Sequence, residues 1–413
     1  MKEKDFLLIV KENNAHAYLV GGAVRDKIIG VAANDKDYVI TGFTEEKLLN
    51  IFPKARKIGS SFPVYLLKLD GIFCEISLAR KEVKNGEGYR GFDVVFTPDI
   101  LIEEDLYRRD LTMNAIAFDP LVDLFIDPYG GIDDIRKKIL KAVSEHFVED
   151  PVRALRAARQ SAQFDFVIDE LTVSFMKKCK DELLLEPKER ILTELSKALS
   201  TKKPSIFFKN MNDASLLEYI FPWLFNLIGK SQPVKYHPEG DAYKHTMLVL
   251  DRVSSDTSSL EARFAALMHD IGKGVTPSSI LPHHYGHDVR GLKVLDEIRD
   301  TLKISNLWYY SAKFVIKEHM RANRLVKLSK IVDLLIKIKK SPLEVKDFIS
   351  IVSADNNGKL VNYLKNYDEY FSVISDIVVE CVPDNLKGKE VGEWLFRKKV
   401  AAFTNYLEKK RGD

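Results

Sequence analysis

The chain has 413 residues, more than one hydrophobic core normally organises, so two to four domains are expected. Its 46% hydrophobic and 30% charged residues are those of an ordinary globular protein, and no apolar run is long enough to span a bilayer. With 63 Lys and Arg against 60 Asp and Glu, the net charge is only +3, so the molecule is no polycation and any grip on nucleic acid must come from clustered charge. Cys74, Cys179 and Cys381 are far apart and form no CxxC pair, which argues against a disulfide framework and fits a reducing cytosol. The opening MKEKDFLLIVKENN has too short an apolar run for a signal segment and no small-residue cleavage site, so a cytoplasmic protein without a membrane partner is expected.

Residues 1–13 read as a helix and 15–20 as a first strand. The stretch YLVGGAVRDKIIGVAANDKDYVITG follows, from Tyr18 to Gly42. Its Gly-Gly turn enters a short helix carrying Gly22, Arg25 and Asp26, and such a turn offers backbone N–H groups to a phosphate. Asp35-Lys36-Asp37 runs into Tyr38-Val39-Ile40, which reads as a strand because β-branched and aromatic residues dominate it. On one strand Asp35 and Asp37 point the same way, roughly 7 Å apart at Cα, and repel each other unless a cation sits between them. Magnesium suits them, as a hard ion held by one or two carboxylates plus substrate phosphates. An isolated DxD is more often a pair of surface charges; the glycine turn, Arg25 and the strand favour a phosphoryl or nucleotidyl transfer site.

Thr44 caps an expected helix to residue 52, and residues 62–69 and 72–79 read as two strands joined by the hairpin signal Asp70-Gly71. Glu75 interrupts the second strand, either on a solvated face or as a third carboxylate beside Asp35 and Asp37. Residues 80–92, RKEVKNGEGYRGF, have no periodicity and read as a mobile arm that orders over a nucleotide. In Asp105 to Asn114, adjacent Arg108 and Arg109 point different ways on a helix, so one can pair with Asp105 or Asp110 while the other faces a triphosphate. Residues 118–127 read as an edge hairpin.

From residue 132 strand signals fade and helical periodicity takes over, so the expected class is α+β: a small mixed-sheet head followed by helical domains. Asp150 reads as an N-cap with Pro151 at the first helical position. Arg153, Arg156 and Arg159 share one stripe of that helix. Arginines alone suggest a solvated basic face, but Asp150 and Arg153, one turn apart, can address a base edge together. The carboxylate accepts from an exocyclic amine and the guanidinium donates to a ring nitrogen. Cytosine and adenine offer that pattern; guanine and uracil offer the reverse and leave polar groups unpaired. Residues 170–230 read as amphipathic helices, and within them Pro204 to Phe221, with Phe207, Phe208, Leu216, Leu217 and Tyr219, is assigned to core packing with a possible RNA-facing side.

Six of the nine histidines fall between 245 and 319. His245 sits in a helical run, His269-Asp270 at a glycine-terminated helix end, His283, His284 and His287 in a short loop; His319 and later Asp355 follow. One histidine on an apolar face is usually a core residue. This grouping points to a metal that activates water for phosphoester hydrolysis; imidazole plus carboxylate suits nickel, manganese, iron or zinc. Beyond residue 359 the chain reads as solvated amphipathic helices with a charged tail and no chemistry. The expected division is 1–140 head, 141–235 neck and body, 236–356 metal-dependent phosphohydrolase domain and 357–413 helical tail.

LVGGAVRD, DKD, GEGYRGF, RRDLTMNA, IDPYGG and EDPVRALRAAR, in this order, resemble the bacterial class II tRNA nucleotidyltransferase and poly(A) polymerase family. The His245, His269-Asp270 and Asp355 pattern resembles the HD phosphohydrolase superfamily, and the two together resemble the bacterial CCA-adding proteins that carry an HD domain. The resemblance implies that Asp35 and Asp37 bind catalytic magnesium with Glu75 in the third-carboxylate position. It places Gly22, Arg25, Arg109, Arg156 and Arg159 around the incoming nucleotide, and makes Asp150 and Arg153 the amino-acid template. It makes residues 81–92 the loop that helps switch from C to A addition. It puts His245, His269, Asp270 and Asp355 on metal-ligand positions, with His287 and His319 nearby and nickel among the transition metals implied. Its activities would be addition of CCA to the tRNA 3′ end and acceptor arm from CTP and ATP, by a monomer or homodimer, and HD phosphatase, 2′-nucleotidase and 2′,3′-cyclic phosphodiesterase reactions. The rivals are a poly(A) polymerase or partial CC- or A-adding enzyme, an HD phosphohydrolase with a nucleotide-sensing head, and a tRNA-binding chaperone without catalysis.

Overall fold

The structure, a computed structural model, describes residues 1–32, 35–58, 63–86, 92–377, 382–383 and 385–412. It divides into two compact units, Met1–Ala198 with Ile206–Ile220, and Leu199–Ser205 with Phe221–Asp413.

The first unit begins with helix α1 (Glu3–Glu12), whose Phe6, Leu7 and Val10 are buried. Strand β1 (His16–Val20), helix α2 (Gly22–Ile29), strand β2 (Asp37–Thr41) and helix α3 (Glu45–Ile51) follow. Thr44 caps α3, accepting from the Lys47 N–H at 3.2 Å. Strands β3 (Arg56–Ile58), β4 (Val64–Leu69) and β5 (Ile72–Leu78) come next. Asp70 and Gly71 both take positive φ, 47° and 87°, the backbone a tight β-hairpin needs, so β4 and β5 pair where the Asp-Gly signal puts them.

Strands β6 (Lys81–Lys84) and β7 (Phe92–Val95) pair with each other, antiparallel. The expected unstructured arm is therefore a paired ribbon at its base, and its Gly-rich centre, residues 87–91, lies outside the described residues. The partner for 81–84 lies beyond the glycines, which is why this run shows no pattern by itself. Helix α4 (Ile102–Tyr107) precedes the hairpin β8 (Ala117–Asp119) and β9 (Leu124–Ile126). The seven-stranded sheet has the order β3-β4-β5-β2-β1-β8-β9. Its neighbours are antiparallel except β2 and β5, which run parallel and make the sheet mixed. Ile102 and Leu106 of α4 join Val20, Val39, Ala79 and Ala117 in one buried cluster.

Helix α5 (Gly131–Lys137) leads to β10 (Ile139–Leu140), which pairs parallel with β11 (Val167–Ile168). These short strands beyond residue 132 escape a reading by periodicity because two residues show none. The rest of this part is helical: α6 (Val152–Phe164), α7 (Glu170–Lys178), α8 (Lys180–Leu185), α9 (Lys188–Leu199), α10 (Ser205–Asp213) and α11 (Leu217–Ile220). Phe207, Phe208, Leu216 and Leu217 are buried, as core packing requires, but Tyr219 of the same expected set is exposed.

The second unit holds α12 (Pro222–Phe225), α13 (Ala242–Asp256), α14 (Leu260–Met268), α15 (His287–Leu302), α16 (Asn306–Ala322), α17 (Leu328–Lys340) and α18 (Val345–Asp355). Every residue of α14 from Ala262 to Met268 is buried, so it is the central helix, with α13, α16 and α18 against it. The tail adds α19 (Asn362–Lys365), α20 (Tyr367–Ser375) and α21 (Lys389–Gly412). It is less solvated than expected: Tyr363, Leu364, Tyr367, Tyr370, Ile374 and Phe403 are buried. Cys74 and Cys179 are buried, while Cys381 lies outside the described residues. Among the described residues no helix is long and apolar enough to cross a membrane. The α+β class, a mixed-sheet head with helical domains after it, is the observed one.

Candidate active sites

In the head, β1 ends at Val20, opposite Asp37 at the start of β2. Gly21 takes φ +68°, and a Cβ there would lie 3.4 Å from Arg109 Nη1 and 3.8 Å from Asp37 Oδ2. The glycine thus lets the backbone come close to a carboxylate and a guanidinium at the N-terminus of α2. Across the parallel pair β2 and β5, Asp37 stands in register with Glu75. Glu75 is therefore beside Asp37 rather than remote from it. Burial and the Glu75 charge push the Asp37 carboxyl up to about 6, against the opposing pull of Arg109, and Asp35 adds to the rise. Asp35 corrects one expectation: β2 begins at Asp37, with the Lys36 carbonyl accepting from the Glu75 N–H at 3.1 Å, so Asp35 is exposed just ahead of the strand rather than on it.

Asp105 is fully buried and pairs with both Arg108, at 2.7 Å, and Arg109, at 3.1 Å. The expectation that only one of these arginines has an internal partner is corrected. Arg109 Nε is buried with no hydrogen-bond partner among the described residues, so toward these the side chain keeps an unused donor. Arg25 Nη1 donates to Asn114 Oδ1 at 2.9 Å, and Asn114 donates in turn to Asp110 and Gln160, each at 3.0 Å. Arg156 closes the chain, its Nε 2.7 Å from Asp110 Oδ2. Burial alone would raise the Asp110 carboxyl, but Arg156 and the Asn114 amide hold it far below the ordinary range.

The expected template pair is arranged differently. The α-helix begins at Val152, one residue later than the cap reading, yet Asp150 still accepts from the Val152 N–H at 3.2 Å. Arg153 is buried, and its guanidinium donates to the carbonyls of His146 at 2.6 Å and Arg108 at 2.7 Å. Asp150 instead meets Arg190, whose Nη2 lies 3.0 and 2.9 Å from its two oxygens. Arg159 Nε donates to Glu194 at 2.6 Å. Helical spacing brings Asp150 and Arg153 into one neighbourhood; which group each side chain meets is set by partners from other elements, since an unpaired buried guanidinium costs too much.

The second unit gathers its histidines on different helices: His245 on α13, His287 at the start of α15 and His319 on α16, with His269-Asp270 just after α14 and Asp355 ending α18. His245 Nε2 lies 3.0 Å from Asp355 Oδ1 and 3.6 Å from Asp270 Oδ2. His269 Nε2 lies 3.1 Å from Asp270 Oδ2. On the other oxygen, Asp270 Oδ1, His287 Nε2 approaches to 3.2 Å and His319 Nε2 to 3.5 Å. The Nδ1 atoms of His269, His287 and His319 face the carbonyls of Ala266, His284 and Val315 at 2.7, 2.8 and 2.9 Å. A carbonyl only accepts, so each Nδ1 donates a proton to it, which leaves each Nε2 turned inward as the atom a metal would take.

Three ligand groups result among the described residues, His245-His269-Asp270-Asp355, Asp270-His287-His319 and His237-Glu239-His245, each with donor atoms within 4.8 Å of one another. Among the described residues, the buried Nε2 atoms of His269, His287 and His319 and both oxygens of Asp270 have no hydrogen-bond partner, which is what a cation would satisfy. Lys273 Nζ lies 2.5 Å from Asp270 Oδ2, close in distance but without hydrogen-bond geometry. Burial alone would raise the Asp270 carboxyl, yet Lys273 and His269 hold it well below the ordinary range. Burial would lower His245, but Asp355 and Asp270 raise it.

His283 and His284 do not join these groups: His284 bonds Thr276 and the Ser231 carbonyl, and His283 stacks on Tyr285. The sequence reading missed Glu239, which lies 2.5 Å from His245 Nδ1, and Gln232, 2.5 Å from Lys273 Nζ. It also missed Arg190 and Glu194, which stand one turn apart on an ordinary-looking amphipathic helix. Lys273 had a usable signal, its place in His269-Asp270-Ile271-Gly272-Lys273.

Residues 17–141 match the poly A polymerase head domain, 165–227 the probable RNA and SrmB-binding site of polymerase A, and 242–338 the HD domain. The multifunctional CCA protein of Acinetobacter baumannii (strain SDF) is 36% identical over 94% of this chain and 97% of its own length. That of Actinobacillus pleuropneumoniae serotype 5b (strain L20) is 37% identical over 93% of this chain and 97% of its own. The Bacillus stearothermophilus CCA-adding enzyme in complex with CTP superposes with a TM-score of 0.68 at 21% identity, covering 100% of this chain and 99% of that one. A CCA-adding enzyme in complex with ATP gives 0.65 at 21% identity, over 97% and 91% of the two chains. At such identities these structures establish a shared fold.

Proposed function

We infer, from a chain that belongs to the multifunctional CCA protein family, that it adds C, C and A to the 3′ end of tRNA from CTP and ATP without a nucleic-acid template, and hydrolyses phosphoesters in its HD domain. The observation that carries the first activity is the pairing of Asp37 with Glu75 across β2 and β5, beside the Gly21 turn and Arg109.

Asp35, Asp37 and Glu75 are the carboxylates assigned to magnesium, which when bound supplies the charge that acidifies the terminal ribose hydroxyl and steadies the departing pyrophosphate. The N-terminus of α2 at Gly22 offers backbone donors to the triphosphate. Arg25, Arg109, Arg156 and Arg159 are assigned to the nucleotide, and the buried Asn114, Asp110 and Gln160 fix where Arg25 and Arg156 sit. Asp150 and Arg153 select the base: an acceptor and a donor fit cytosine and adenine and leave uracil and guanine unpaired. The helical residues 141–235 are assigned to neck and body, holding the acceptor arm by shape and phosphate.

Residues 236–356 are assigned to the phosphohydrolase, with His245, His269, Asp270 and Asp355 on a transition metal such as nickel and His287 and His319 beside it. Residues 1–140 are the head and 357–413 the tail, in a cytoplasmic protein. Phosphatase, 2′-nucleotidase and 2′,3′-cyclic phosphodiesterase reactions are the activities assigned to this site.

The test uses tRNA lacking its 3′ CCA with magnesium and CTP, ATP or both. Growth by three nucleotides supports the reading; long A tails identify a poly(A) polymerase, and phosphate release without growth a hydrolase. Asp37→Ala is expected to abolish addition and keep HD hydrolysis, and Asp270→Ala the reverse. Loss of both activities from one folded variant sinks the two-site assignment.

A further inference from the structure

We propose that Arg190 is the positioning residue that sets base selectivity, by holding Asp150 in the orientation that demands an amine from the incoming base. The proposal rests on the reading of Asp150 as part of the base-selecting pair. One nitrogen of Arg190, Nη2, bridges both oxygens of Asp150 at 3.0 and 2.9 Å. The other, Nη1, donates to Glu186 Oε2 at 2.7 Å, and Glu186 is buried. With the Val152 N–H on Oδ1 at 3.2 Å, the Asp150 carboxylate is gripped on both oxygens from within the protein.

An aspartate held in this way cannot turn about its last torsion without breaking a charge-assisted pair. Its remaining lone pairs keep one direction and can only accept. The N4 amine of cytosine and the N6 amine of adenine supply a donor; O4 of uracil and O6 of guanine present lone pairs to a carboxylate that cannot rotate away. Without Arg190 the carboxylate swings, the contact with the correct amine weakens, and the wrong carbonyl is no longer forced against it. Helix α9 thereby acts on two assigned nucleotide residues at once, because Glu194, one turn after Arg190, holds Arg159 at 2.6 Å.

An ion pair that merely ties α9 to the start of α6 would change stability and leave the choice of base alone. Wild type, Arg190→Gln and Arg190→Lys are therefore compared by kcat/KM for CTP, UTP, ATP and GTP on truncated tRNA, using the full-length protein. The ratio of correct to wrong base does not depend on how much of a preparation is folded. R190Q is expected to lower the CTP:UTP and ATP:GTP ratios about tenfold, the loss of one good polar contact. R190K, which keeps the charge without the planar fork that also reaches Glu186, is expected to fall about threefold. Ratios unchanged in R190Q overturn the proposal whatever happens to the rates. If R190Q does not fold, unchanged ratios in R190K do the same. A wild type without any preference for C and A overturns the underlying reading, and this proposal with it.

Discussion

Asp37 is held in a place that disfavours its charge. Burial and Glu75 raise its carboxyl to about 6, above an unfolded aspartate near 4. The ionised form is therefore penalised in the fold: the penalty is absent below about pH 4, grows as the pH rises, and is complete above about pH 6. Asp37→Asn is expected to abolish addition yet raise the melting temperature in EDTA at pH 8, with the gain shrinking as the pH falls through 6. Magnesium should stabilise wild type more than this variant. Differential scanning fluorimetry checks both, and an unchanged melting temperature at pH 8 would show that burial and Glu75 together do not penalise the Asp37 charge. At this scale the sequence located the residues better than their partners. Asp35, Asp37, His269 and Asp270 are legible because chemistry-bearing residues stand together in the chain. The bond from Asp150 to Arg190 joins positions 40 apart and has no local signature.

Among elements, the tightest constraint lies where the turn after His269-Asp270 meets α15. A Cβ on Gly272 would fall 1.9 Å from the His287 carbonyl and 2.4 Å from the Gly291 nitrogen. Gly272→Ala is expected to cost about 1–3 kcal/mol, at the upper end because the obstacle is backbone. By pushing α15 away it should also displace His287 from Asp270 and weaken metal binding more than a surface change of equal size. Urea unfolding and metal titration measure the two effects; normal affinity in a destabilised variant would refute the coupling. The β4–β5 hairpin was readable because Asp70-Gly71 carries its own turn chemistry. The β6–β7 ribbon was not, since its two halves lie on opposite sides of a glycine-rich stretch and neither alternates clearly.

For the whole molecule, two compact units with different chemistry suggest separate ligand linkage. A metal that binds only the folded HD site stabilises it by about 2.7 kcal/mol at a hundredfold excess over Kd. Nickel, manganese, iron or zinc should therefore raise a melting transition that Asp270→Ala leaves unmoved, and a chelator should lower it again. An equal shift in Asp270→Ala would place the metal elsewhere. The sequence by itself determined the α+β class, the order of head and helical parts, and the residue types gathered at both candidate sites. Turn chemistry, periodicity and clustered ligands act over a few residues and leave a trace in the chain. Only the tertiary structure decided that Glu75 stands opposite Asp37, that Asp270 turns one oxygen to each histidine pair, and that Arg153 faces carbonyls while Arg190 takes Asp150. Those choices come from strand register and from buried charges seeking distant partners, and no stretch of sequence holds both halves of such a contact.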